Sequence, residues 1–112
     1  MKGLVIHERG SLGTRDYGEP LYKCVGETLH GHMEIVRPAM LPKPYLMLVN
    51  EEGLLRGMEF NIIASILYGD VIVGPSIIMK EVMTDEGPDI GGLDHEDILD
   101  LLYYLDAMED LQ

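Results

Sequence analysis

At 112 residues, with 46% hydrophobic and 25% charged side chains, the chain has the make-up of one soluble domain that can bury a core without staples. Its net charge of −12 repels phosphate backbones and its Lys and Arg residues stand singly, so neither direct nucleic-acid binding nor a basic membrane-surface patch is expected. The single Cys24 excludes an intramolecular disulfide and fits a reducing compartment.

The chain opens on MKGLVIH, read as a strand over residues 2–7. Its apolar run is too short for a signal-peptide core or a membrane span, which gives a cytoplasmic expectation. Residues 10–18 are turn material with room for a short edge strand near 14–17. Pro20 suits the first turn of a helix, and Leu21, Cys24, Val25, Thr28 and Leu29 follow on one helical face. Cys24 therefore reads as a packed thiol rather than a nucleophile. Gly31 is expected to supply the left-handed stop.

HMEIV, residues 32–36, is a second strand closed by Pro38, and the LPKP segment makes 38–44 a rigid loop. YLMLVN is a strong strand, NEEG ends in a glycine suited to a hairpin loop, and residues 54–56 are expected to return as a short partner strand before Gly57. Asn61 is placed to cap a helix that carries Ile62, Ile63, Ile66 and Leu67 and stops at Gly69.

VIVGPSIIMKEV reads as a central strand interrupted at Gly74 and Pro75, and TDEGPDIGG as a loop. Asp94 caps a last helix with Glu96 and Asp97 in its first turn. Ile98, Leu101, Leu102, Leu105 and Met108 form its expected buried stripe, while Asp100, Asp106, Glu109 and Asp110 form an acidic face. The expected fold is one α+β domain: a mostly antiparallel sheet of about four to five strands, with three helices covering one face.

Motifs that carry chemistry are sparse. His30, His32 and Glu34 alternate as H-x-H-x-E, and on a fully extended segment they would share one face, as a divalent-metal trio requires. The helix-to-strand turn at His30 and Gly31 breaks that alternation, so a solvated strand face is the preferred reading. Asp85, Glu86, Asp89 and Asp94 match no calcium-loop register. No Ser or Cys stands at a recognised spacing from a His and an acid, and no Gly-rich loop matches a phosphate cradle. No cofactor is expected and no enzyme activity is supported.

The phrases LHGHMEIVRP, LPKPYLMLVNEEGLLRGMEFN, LYGDVIVG and EGPDIGGLDHEDI resemble a family of small accessory proteins of phages, plasmids and integrated elements, the domain of unknown function thirty-eight forty-six. The resemblance runs from the first strand to the last helix. The family pattern has a Leu-Pro pair just before the Asn of the second helix, where this sequence has Met58, Glu59 and Phe60. The resemblance implies no chemistry. It implies a gene of a mobile element, acting in the bacterial cytosol in an accessory or counter-defence role.

Two functions follow as expectations. The first is a non-enzymatic protein that binds and inhibits a host protein, one that itself binds nucleic acid, through Asp100, Asp106 and Glu109. The second is an oligomer that sequesters a nucleotide-like ligand at the start of the second helix, where Asn61 and the nearby Arg56 offer an anion site.

Overall fold

Val5, Leu48, Ile77 and Met79 point to one side of a single sheet, and Leu4, Ile6, Met47, Val49 and Ile78 point to the other. In a computed structural model, which describes residues 1–109, both sets are buried. Of Glu109 only the backbone is described, so its expected role, like that of Asp110, lies outside the described residues.

Among the described residues the sheet has six strands: β1 (Lys2–Ile6), β2 (Leu12–Asp16), β3 (Met33–Val36), β4 (Tyr45–Asn50), β5 (Ser76–Thr84) and β6 (Gly87–Gly91). Their order is β2-β1-β5-β4-β3, and every pairing is antiparallel. β5 is central, as its apolar run suggests. Ser76–Ile78 pair with β1 and residues 80–84 with β6, so β1 and β6 lie end to end along one side of β5, opposite β4. The expected α+β class holds, with one strand more than anticipated.

The helices are α1 (Leu21–Leu29), α2 (Ile62–Tyr68) and α3 (His95–Glu109), and they do not share a face. α1 closes one core with Val25 and Leu29 beneath Tyr17. α2 and α3 close the other with Ala64, Leu67, Leu101 and Leu105, joined by Leu41, Ile72 and Leu93. The one-face expectation fails because β4 and β5 are apolar on both sides, and each side needs its own cover.

Local departures have local causes. The left-handed residue after α1 is His30, at φ 62°, rather than Gly31. Residues 51–57 form a turn and not a returning strand: Arg56 N–H donates to Glu52 O at 3.0 Å and Met58 N–H to Gly53 O at 3.1 Å, while β3 and β5 already flank β4. Gly53 serves there by its size, since a Cβ would sit 2.8 Å from Val73 Cγ2. The glycine-rich 84–92 segment, expected to be a loop, is mostly hairpin: Asp85 and Glu86 make the turn, Gly87 takes φ 111°, and Gly87–Gly91 return along β5 as β6. On α3, Tyr104 replaces Leu102 in the buried stripe and donates its hydroxyl to the Met40 carbonyl.

Candidate interaction surfaces

Asn61 is 0% exposed, and both its amide nitrogen and its carbonyl oxygen are hydrogen-bonded to the backbone. Its Nδ2 donates to Ile6 O at 3.0 Å and Gly74 O at 2.9 Å, and its Oδ1 accepts from Ala64 N–H at 3.1 Å. It thus caps α2, as expected, and also ties that cap to β1 and to the bend before β5. Arg56 goes elsewhere, donating to the His30 carbonyl, while Asn50 Nδ2 donates to Leu29 O at 2.9 Å. Together they satisfy the carbonyls of Leu29, the last residue of α1, and of His30, its C-cap. The two expected ligand residues therefore bind different parts of the chain, and the buried Asn61 amide offers nothing to solvent.

His30, His32 and Glu34 are all exposed, and the left-handed turn at His30 takes it out of the strand alternation. No group of three or more His, Cys, Asp or Glu side chains is placed to hold a metal ion among the described residues.

At the start of α3, Asp94 and Asp97 cap one another: Asp97 N–H donates to Asp94 Oδ1 at 2.8 Å, and Asp94 N–H to Asp97 Oδ2 at 2.9 Å. Lys80 on β5 donates to Asp97 Oδ2 at 2.7 Å and lies 3.8 Å from Asp94, and Tyr45 on β4 donates to Asp97 Oδ1 at 3.4 Å. Burial works to raise the Asp97 carboxyl, but the hydrogen bonds from Lys80 and from the Asp94 backbone outweigh it and hold it below the usual aspartate range. The bond to Asp97 raises Lys80, against some desolvation. Burial, with the charges of Asp97, Asp100 and Asp94, pushes the Tyr45 phenol up to about 12.

The cluster pins α3 to the sheet, and its pH dependence has a definite sign. Tyr45 and Lys80 both hold their protons more tightly when folded, so their stabilisation is present below about pH 10; that of Tyr45 is lost as pH rises through about 12, and that of Lys80 as pH rises through its own raised value. Asp97 acts oppositely: its contribution is present above about pH 4 and is lost as pH falls through its lowered value. Thermal melts of the wild type and of Tyr45→Phe across the alkaline range check this. The wild-type Tm is expected to fall more steeply there than that of the variant, and parallel curves would contradict the assignment.

Two surfaces among the described residues set exposed apolar side chains beside carboxylates. The outer side of α3 carries exposed Asp100 and Asp106 beside Leu99 (53% exposed) and Tyr103 (80% exposed). The second is a cleft of about 380 Å³ between β3, the 51–55 turn and the 68–73 segment, with Val36, Val49 and Ile72 among its lining residues. Leu54, Leu55 and Val71, 70%, 89% and 51% exposed, also line it, as do the carboxylates Glu34 and Glu51. Sequence reasoning missed this cleft, although a Leu-Leu pair between two glycines in a turn was a visible signal.

The fold and these surfaces define a small acidic α+β domain with a two-faced antiparallel sheet, capped helices, and apolar side chains left in water beside carboxylates. A family model matches residues 1–106, and the chain belongs to the family described as Domain of unknown function (DUF3846). No curated protein and no solved structure matches the chain. No helix among the described residues is long and apolar enough to cross a membrane.

Proposed function

We propose that the protein is a non-enzymatic accessory factor of a phage or other mobile element that binds and inhibits a protein of its bacterial host in the cytosol. The observation that carries this reading is the outer side of α3, where Leu99 and Tyr103 stand in solvent among Glu96, Asp100 and Asp106. Apolar side chains supply contact area to an interface, and surrounding charges select the partner and speed the encounter. With a net charge of −12, the complementary partner is basic, as proteins that hold nucleic acid are.

The test is capture from bacterial cytosol by the wild type and by the double variant Asp100→Asn/Asp106→Asn, each at low and high salt. The wild type retains a basic protein that the variant loses by about tenfold, and salt weakens the wild-type complex more than any residual binding by the variant. Equal capture by both at both salt concentrations would contradict the reading.

The nucleotide-sequestering alternative has no observation in its favour. Asn61 is spent on the fold, Arg56 caps α1, and α2 has only seven residues.

A further inference from the structure

β3 is an edge strand: β4 pairs one side of it, and no strand among the described residues pairs the other. The register fixes which backbone groups face outward. Glu51 N–H donates to His32 O at 3.0 Å, which makes His32 and Glu51 a hydrogen-bonded pair in line with Met33↔Asn50 and Glu34↔Val49. Bonded and non-bonded pairs alternate along antiparallel strands, so Glu34 and Val36 turn their backbone groups to β4. Met33 and Ile35 therefore present their N–H and C=O groups to the open edge.

The cleft lies beside this edge. Glu34 and Val36 project on the side of the sheet that carries Met47 and Val49, and both line it. Its apolar surface comes from Val36, Val49 and Ile72 with Leu54, Leu55 and Val71. Its charge is negative: Glu34 and Glu51 line it, and Glu52 and Asp70 are exposed on the segments that form it. The nearby cations are engaged elsewhere, Arg56 on the His30 carbonyl and Arg37 on Glu81 at 2.6 Å.

We propose that the β3 edge and its cleft take up an extended, basic segment of a partner protein as an added strand. Met33 and Ile35 form the backbone bonds, an apolar side chain of the segment enters the cleft, and Lys or Arg side chains meet Glu34 and Glu51. Strand addition draws affinity from main-chain bonds and specificity from pockets for alternate side chains. A second copy of this chain is the wrong occupant, because each copy brings a net charge of −12. The proposal rests on the protein-binding reading but uses a different surface from the outer side of α3. Its test uses a synthetic peptide, so its failure leaves the capture experiment standing.

The probe is a capped peptide of alternating valine and lysine, titrated into the full-length protein and followed by NMR. Binding is expected to slow exchange of the Met33 and Ile35 amide protons and to shift Leu54, Leu55 and Val71. The same peptide N-methylated on alternate residues, or carrying glutamate for lysine, is expected to bind at least about tenfold more weakly. Leu54→Ser/Leu55→Ser, changed only at exposed turn positions, loses binding to a similar degree. Ile35→Pro removes an outward N–H that β4 does not use, and blocks the edge. No binding, equal binding to the serine variant, or protection at the other edge strand, β2, would each overturn the proposal. Concentration-dependent protection of Met33 and Ile35 without peptide would replace the partner segment with a second copy, and so would also overturn it.

Discussion

Asn61→Ala is expected to lower the free energy of unfolding by about 3–5 kcal/mol, read from urea denaturation with an unchanged m-value. The substitution removes the two amide bonds to the carbonyls of Ile6 and Gly74 and leaves the buried amide of Ala64 without its cap inside the core. Each such loss costs about 1–3 kcal/mol, and the three act as a unit rather than adding in full. Asn61→Asp is the sharper variant. It keeps the shape and the Oδ1 that caps α2, but turns an acceptor toward two carbonyl oxygens, so it destabilises comparably. A loss below about 1 kcal/mol for both would show that the cap, and not the tie across the core, is all that Asn61 provides.

Met47→Ala and Leu48→Ala are each expected to destabilise by about 2–5 kcal/mol. The two residues are neighbours on β4, both 0% exposed, and they point into different cores. Met47 packs in the core closed by α2 and α3, and Leu48 in the core closed by α1. Were the helices all on one face, one substitution would act at a surface and stay within about 0.5 kcal/mol. Chemical denaturation of the two variants side by side thus reads the layering directly, and a large loss in only one of them would contradict it.

That layering was partly legible in the sequence. YLMLVN and VIVGPSIIMKEV are apolar without alternation, the signature of strands covered on both faces, and the pattern applied to β5 applies equally to β4. The caps were plain, because Asn61 and Asp94 are short polar residues set ahead of apolar periodicity. β6 was hidden because Gly, Pro and Asp have poor strand propensity, and only its pairing to β5 makes it a strand. Residues 54–56 read as a returning hairpin arm because Leu54 and Leu55 look like strand residues. They stay exposed because β3 already occupies the side of β4 where that arm would pair. Beyond the Leu54–Leu55 pair, the cleft could not be read from spacing, since its lining is drawn from strands, a turn and a bend far apart along the chain. The Lys80–Asp97 pair was equally out of reach, as it joins a central strand to a helix that pattern alone does not orient.

Binding of a basic protein by this acidic domain is read out by native mass spectrometry on the material captured from bacterial cytosol. The expected result is a complex whose added mass is a whole polypeptide, lost as salt is raised and much reduced for Asp100→Asn/Asp106→Asn. Bare chains, or an added mass of small-molecule size released on denaturation, would contradict it.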